Sequence, residues 1–165
     1  MKVVDNFLPE EHFKLAQSLI MDYGFPWCWN DSVTKQVGES DPSEFQFVHK
    51  FYGPLSGVTS SYPRWKEIIK PFADYMNPVS LMRIKANLNV GTTEHITREF
   101  HTDFDVKCTT AIAYINNNNG YTLFEDGTKV QSKENRVVIF DSQKRHAGIP
   151  CTDEKRRVVI NFNFI

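Results

Sequence analysis

The second half of the sequence, residues 79–165, consists of short runs of β-forming residues separated by turn signals. The segments Asn-Asn-Asn-Asn-Gly at 116–120 and Glu-Asp-Gly at 125–127 favour tight reversals between such runs. Several short, closely spaced strands are typical of a barrel or jelly roll. We therefore predict strands at residues 81–90, 108–115, 122–124, 129–130, 136–140 and 157–164.

The first 78 residues have a different pattern. A short strand at 2–4 precedes a helix that begins near Pro9, and a second helix is predicted at 62–76 with Pro71 inside it. Between them, residues 24–43 are rich in loop-forming residues and residues 45–48 alternate like a strand. We expect one domain over residues 1–165, mostly β, in which 1–78 supply helical support and substrate-side loops and 79–165 form the β core.

Composition limits the partners of the chain. Its 165 residues suffice for one core, and 41% hydrophobic with 24% charged residues is typical of a globular domain. Because 19 basic residues nearly balance 20 acidic ones, nucleic acid and membrane surfaces are disfavoured as partners. Three widely separated cysteines (28, 108 and 151) indicate a reducing cytoplasm, and neither a secretion signal nor a membrane span is predicted.

Two histidines and one carboxylate form a candidate metal site. In His101-Thr102-Asp103 the imidazole and the carboxylate are two residues apart, so on an extended chain they lie on the same side. His146 follows the apolar strand at 136–140. Two histidines and one carboxylate on one side of an ion form the facial triad, which leaves coordination positions open and favours ferrous iron. Asp105 shares the strand parity of Asp103, and we interpret His95 as a solvated or substrate-side residue.

The last strand carries a cation on the face opposite its apolar residues. Val158, Ile160, Phe162 and Phe164 share one face, whereas Arg157 points the other way with Val159, Asn161 and Asn163. A guanidinium inside a barrel is costly unless it meets an anion, and its planar fork suits a carboxylate. A dicarboxylate cosubstrate would supply that anion. The neighbouring Arg156 is the alternative anchor. We prefer Arg157, because a slip of the strand by one residue would reverse every side chain.

Together these motifs resemble the prolyl-4-hydroxylase-like branch of the iron(II)- and 2-oxoglutarate-dependent dioxygenases, including its small bacterial and phage-encoded members. The resemblance covers nearly the whole chain and is most specific from His101 to Phe164. It includes His101-Thr102-Asp103, the hairpin at 119–124, the strand before His146, and Arg157. Tyr121 departs from the family, because many members have a second glycine there.

The resemblance implies a double-stranded β-helix, the cupin-like jelly-roll barrel, with Fe(II), 2-oxoglutarate and O2 as cofactor and cosubstrates. His101, Asp103 and His146 would be the metal ligands and catalytic residues. Tyr114 and Arg157 would bind 2-oxoglutarate, with Thr110, Ile112 and Asn161 beside them. The implied reaction is hydroxylation of an aliphatic C–H of a peptide or small molecule, a peptidyl proline among the candidates, with release of succinate and CO2.

Two other functions remain open at the level of sequence. Oxidative dealkylases of nucleic acid carry a second arginine six residues after the first, and position 163 is Asn instead. A cupin-like binding module without enzymatic activity would use the same barrel. The presence of Asp103 disfavours the related halogenases, which lack that carboxylate. Oligomeric state is open, a dimer included.

Overall fold

The computed structural model describes residues 1–31, 45–104 and 106–165. Two helices and eleven strands are found in these ranges. In chain order they are β1 (Lys2–Val4), α1 (Glu10–Met21), β2 (Cys28–Asn30), β3 (Gln46–Gly53), β4 (Gly57–Val58), α2 (Trp65–Met76), β5 (Leu81–Val90), β6 (Thr109–Tyr114), β7 (Tyr121–Phe124), β8 (Lys129–Gln131), β9 (Arg136–Asp141), β10 (His146–Ile149) and β11 (Arg156–Phe164).

The strands form two antiparallel sheets. The larger has the order β1-β9-β6-β11-β5-β3-β2, with β4 paired to β3, and the smaller has the order β10-β7-β8. An isolated bridge between His101 and His146 extends the smaller sheet beside β10. From β5 onward the chain alternates between the two sheets. The strands β5, β6, β9 and β11 belong to the larger sheet, and the segments between them, which are the His101 bridge, the β7-β8 hairpin and β10, belong to the smaller sheet. This alternation is that of a double-stranded β-helix, so the predicted mostly-β jelly roll is confirmed.

The two faces of the larger sheet have different chemistry. Its outer face packs on both helices through alternate residues of β5 and β11, such as Ile84, Leu88 and Ile160, which contact Phe13 of α1 and Phe72 of α2 in one buried cluster. A second cluster fills the barrel between the sheets: Ile112, Tyr114, Phe124, Val130, Val138, Phe140 and Val159. The predicted alternation on the last strand is therefore correct, since its apolar face lies against the helices. No helix in the described ranges is long and apolar enough to span a membrane.

Two parts of the predicted secondary structure were wrong. Residues 28–30 lie within the predicted loop but form β2, which pairs with β3, and the Trp29 ring packs edge-on against Phe47 across that pair. Residues 32–44 of the same loop lie outside the described residues. No strand was predicted at His146–Ile149, which pairs with β7. In addition, β1 and β3 from the first 78 residues are strands of the larger sheet, and the division of roles at residue 78 stays a prediction.

Asn135 joins the segment after β1 to the start of β9. Its side-chain Oδ1 accepts a hydrogen bond from Leu8 N (2.9 Å), and its Nδ2 donates to Leu8 O (2.8 Å). Its backbone has a φ of 58°, in the left-handed region that asparagine tolerates better than most residues. The residue therefore satisfies two buried main-chain groups while it holds a strained turn.

We expect Asn135→Ala to lower the free energy of unfolding by about 3 kcal/mol. The variant leaves the buried main-chain N–H and C=O of Leu8 without hydrogen-bond partners and places alanine at positive φ. Urea denaturation measures the change. Asn6→Ala is the matched control, since Asn6 is exposed and has a φ of 50°; it should cost only the conformational part, about 1 kcal/mol. Equal losses for the two variants would contradict a bonding role for Asn135.

Candidate metal centre

Three side chains from two separate segments of the chain converge on one cavity. Their ligand atoms, one each from His101, Asp103 and His146, all lie within 4.8 Å of one another. The backbone places the two histidines side by side, because His101 N donates to His146 O (3.0 Å) and His146 N donates to His101 O (2.9 Å). Asp103 follows two residues later and reaches the same point, as the spacing in the sequence predicts.

The two imidazoles are oriented by backbone carbonyls. Nδ1 of His101 lies 3.4 Å from Glu99 O, and Nδ1 of His146 lies 3.1 Å from Lys144 O. When Nδ1 carries the proton and donates to these carbonyls, Nε2 is left as a ligand, the arrangement found in most metal-binding histidines. Burial lowers the pKa of His101, the neighbouring His146 lowers it further and Asp103 opposes them. A lowered pKa favours the neutral form that binds metal.

Asp103 presents one satisfied and one unsatisfied oxygen. Oδ1 accepts a hydrogen bond from Arg83 Nη2 at 2.8 Å. Oδ2 is buried, has no hydrogen-bond partner among the described residues and lies 4.0 Å from His146 Nε2. Burial raises the pKa of Asp103, but the charge of Arg83, with the two histidines, outweighs it and the pKa is lowered. A buried carboxylate oxygen that lacks a partner is costly, so a cation at this point would satisfy it. The donor set thus fits a divalent metal.

The triad opens into a small, partly enclosed cavity of about 60 Å³. Ile112, Val159 and Asn161 form part of its wall, together with Thr122 and Gly148 of the smaller sheet. Ile112 and Asn161 therefore lie where the sequence predicts cosubstrate contacts, and their role stays a prediction.

Arg157 also lines this cavity. It is 2% exposed, its Nε donates to Ser132 Oγ (2.9 Å) and its Nη2 to Thr122 Oγ1 (3.2 Å). Among the described residues no carboxylate lies within ion-pair distance of it, and burial lowers its pKa. A Cβ added at Gly148 would lie 3.5 Å from Nη1, so the glycine keeps the space beside that nitrogen open. Within the part of the chain that the structure describes, the cavity therefore contains a buried cation that lacks a counter-anion.

The neighbouring arginine points elsewhere. Arg156 Nη2 donates to Met21 O at 2.8 Å, beside the C-terminal end of α1. Of the two alternatives that the sequence left open, Arg157 is thus the one that faces the cavity. Asp105, the rival of Asp103, lies outside the described residues. His95 is exposed, contacts Asn119 and is not part of the triad.

Two predicted cosubstrate residues lie behind the cavity wall. Tyr114 is fully buried, and its hydroxyl donates to Thr122 Oγ1 at 2.8 Å. Its ring lies 5.6 Å from the Arg157 guanidinium carbon. Thr110 is also fully buried and its hydroxyl accepts a hydrogen bond from Asn163 Nδ2. In this structure Thr122, for which no role was predicted, is the hydroxyl that lines the cavity next to Arg157.

The inner face of β5 was missed altogether. Lys85, Asn87 and Asn89 line the cavity, together with Gln46 of β3. The signal was present, because polar residues alternate with Ile84, Ala86 and Leu88 along a strand that is central in the sheet. Polar residues on the inward face of a central strand are rare unless they bind something. Oδ1 of Asn87 and Oδ1 of Asn161 are buried without partners, which is consistent with a ligand-binding wall.

Lys85 has a perturbed titration. Its pKa is lowered to about 8, because burial and the charge of Arg83 both lower it and Asp103 only partly opposes them. The folded protein therefore holds fewer protons than the unfolded chain between pH 8 and pH 10.5, and stability must rise with pH across that window. Below pH 8 the buried ammonium ion penalises the fold in full.

We expect Lys85→Met to stabilise the metal-free protein at pH 7 by on the order of 1–2 kcal/mol, less than the full linkage because the cavity admits solvent. This advantage over the parent should shrink as pH approaches 10. Urea titrations at pH 7, 8.5 and 9.5 measure it. Lys50→Met is the comparison: Lys50 is the exposed cross-strand neighbour of Lys85, and its charge is the smallest of the causes that shift the pKa of Lys85, so its gain should be much smaller. A gain in stability that is independent of pH would contradict the assignment.

No protein-family model matches the sequence, and no curated protein does. Solved structures do match the fold. A prolyl hydroxylase from Trichoplax adhaerens, in complex with a hypoxia inducible factor peptide, has a TM-score of 0.66 at 15% identity over 99% of this chain and 82% of its own. A prolyl-4-hydroxylase from Pseudomonas putida has a TM-score of 0.57 at 16% identity, covering 99% and 91%.

A third match is the viral collagen prolyl hydroxylase from Paramecium Bursaria Chlorella virus-1 in its 2OG complex, with a TM-score of 0.57 at 14% identity. The alignment covers 98% of this chain and 93% of the viral one. At these identities the likeness concerns the fold. From its first strand to its last, the chain therefore has the fold of the prolyl hydroxylases.

Proposed function

We propose that the chain is an Fe(II)- and 2-oxoglutarate-dependent dioxygenase that hydroxylates an aliphatic C–H. One observation carries the proposal: the His101, Asp103 and His146 ligand atoms lie on one cavity with Arg157, which has no counter-ion among the described residues. A facial triad leaves positions open for cosubstrate, and a buried guanidinium needs an anion. A 2-keto dicarboxylate meets both requirements with one molecule. The fold of the prolyl hydroxylases supports the proposal as an analogy.

The protein residues divide the work of binding. His101 and His146 through Nε2 and Asp103 through Oδ2 would hold the iron, which supplies oxidation of the substrate C–H by O2 together with 2-oxoglutarate, yielding succinate and CO2. Arg157 and the Thr122 hydroxyl would orient the distal carboxylate, and Tyr114 would fix Thr122 from behind through its 2.8 Å hydrogen bond. The apolar side chains of Ile112 and Val159 would exclude water from the space between the metal ligands and Arg157.

For the substrate, we propose a peptide or a small molecule, with a peptidyl proline among the candidates. One structure of the same fold is a complex with a peptide fragment, and this supports a peptide. Residues 1–165 would act as a single domain, in the cytoplasm. Nucleic-acid dealkylation is the weaker candidate, because the position six residues after Arg157 is Asn163, whose amide is engaged by Thr110 and Arg83.

The test is iron-dependent turnover of 2-oxoglutarate. Protein loaded anaerobically with Fe(II) should form succinate when oxygen and 2-oxoglutarate are added, and N-oxalylglycine, an inert analogue of the keto acid, should inhibit this. Zinc-loaded protein is the control, because it keeps the site filled without redox chemistry. Metal binding without any iron-dependent succinate would favour the alternative of a cupin-like binding module.

A further inference from the structure

Arg83 holds the carboxylate of Asp103 from the side away from the histidines. Its Nη2 donates to Asp103 Oδ1 at 2.8 Å, and its Nε donates to Asn163 Oδ1 at 2.9 Å. The guanidinium carbon lies 5.2 Å from the Phe104 ring centre, which packs against the fork. Neither the repeat of the β strands nor the metal motif predicts this contact, because Arg83 is 20 residues before Asp103.

The orientation of Arg83 is set by the larger sheet. Asn163 of β11 pairs with Arg83 on β5 and with Thr110 on β6, so the three residues lie side by side on neighbouring strands. Asn163 Nδ2 donates to Thr110 Oγ1 at 2.9 Å, and both residues are fully buried. Thr110, Asn163 and Arg83 thus stand on three strands of the larger sheet, whereas Asp103 lies in the connection between β5 and β6.

This row leaves Asp103 with one oxygen to offer. A carboxylate can bind a divalent ion through one oxygen or through both. Oδ1 is held by a charge-assisted hydrogen bond, whereas Oδ2 is the atom without a partner that faces the histidines. If Oδ1 were released, it could bind the same ion and fill a position that the facial triad leaves open.

We propose that Arg83 is a positioning residue that restricts Asp103 to a single ligating oxygen and so keeps one coordination position open for cosubstrate or oxygen. The inference rests on the proposed function. It also explains why a cation stands beside a metal site, where its charge must weaken metal binding. If Arg83 only supported the ligand, its loss should weaken metal affinity by about 10- to 100-fold, whereas this proposal predicts that its loss strengthens metal binding.

The test compares Arg83→Met with the parent. Manganese(II) binding, measured by calorimetry, should be about three- to tenfold tighter in the variant, because a positive charge is removed and a second oxygen is released. Binding of N-oxalylglycine to the manganese-loaded variant should be about tenfold weaker, because it competes with that oxygen. The absorption spectrum of cobalt(II)-loaded protein, which reports coordination number and geometry, should change in the same variant.

Arg83→Lys keeps the positive charge but lacks the planar guanidinium. It is the second variant in case Arg83→Met does not fold. It should show the change in the cobalt spectrum with a smaller gain in manganese affinity. Arg136→Met is the matched control, because Arg136 binds Asp5 through Nε (2.6 Å) and Nη2 (3.0 Å) in a similar ion pair away from the cavity. All three readouts should be as in the parent.

Two results would overturn the role of Arg83: manganese affinity that falls tenfold in Arg83→Met, or an unchanged cobalt spectrum with unchanged N-oxalylglycine affinity. The first would show a supporting residue only, and the second no influence on coordination. Failure of the proposed function has a different signature, since the parent would then form no succinate. The cobalt spectra of parent and variant would still decide whether Arg83 restricts Asp103.

Discussion

The His101→Ala variant is expected to lose divalent metal affinity by at least about a hundredfold and iron-dependent succinate formation by at least about a thousandfold. The substitution removes one of the three metal ligands, and the two that remain, Asp103 and His146, would hold a metal only weakly. His101 is only partly buried, and the hydrogen bonds that join it to His146 are made by the backbone, so the fold should survive. Manganese(II) calorimetry and quantified succinate measure the two losses.

His95→Ala is the matched control for this variant. His95 lies six residues earlier in the same connection, is exposed, and contacts Asn119 and Tyr121 instead of the triad. Both its metal affinity and its turnover should equal those of the parent. Persistence of iron-dependent turnover in His101→Ala, or an equal loss in His95→Ala, would remove His101 from the metal site and the proposed function with it.

The β core could be predicted from the sequence because its strands are marked by local features. Residues 83–90 alternate polar and apolar side chains, and the alternation in residues 157–164 correctly predicts the face of the strand on which Arg157 lies. The strand at His146–Ile149 could not be found in this way, because its four residues carry no alternation. It forms because it pairs with Tyr121–Phe124, and such a contact between distant segments leaves no local signal.

The candidate site follows the same rule. His101 and Asp103 are two residues apart, so strand parity alone brings them together, and their ligand atoms do lie within the 4.8 Å cluster. Arg83 reaches Asp103 only because three strands of the larger sheet stand in one register. Parity tells which face a side chain occupies, but it does not identify the partner across the cavity. The polar face of β5 was therefore predictable from the alternation of its residues, whereas the contact from Arg83 to Asp103 was not.

Arg157 should decide cosubstrate binding independently of metal binding. Its guanidinium lines the same cavity as the triad, where Ser132 and Thr122 accept hydrogen bonds from two of its nitrogens and the space beside Gly148 remains for an anion. A charge-assisted pair of hydrogen bonds to a carboxylate contributes about 3 kcal/mol in such a setting. Without an anion the same buried charge opposes folding, because no described carboxylate compensates it.

Arg157→Met should therefore weaken binding of 2-oxoglutarate to the manganese-loaded protein by about a hundredfold, which corresponds to about 3 kcal/mol, while manganese affinity changes little. The metal-free variant should be as stable as the parent or more so, because methionine fills the space without a buried charge. Calorimetry and urea denaturation give both quantities.

Arg156→Met is the matched control, since the Arg156 guanidinium donates to Met21 O outside the cavity, and this variant should bind 2-oxoglutarate normally. The reverse result, normal binding in Arg157→Met and weak binding in Arg156→Met, would exchange the roles of the two arginines and require the last strand to slip by one residue.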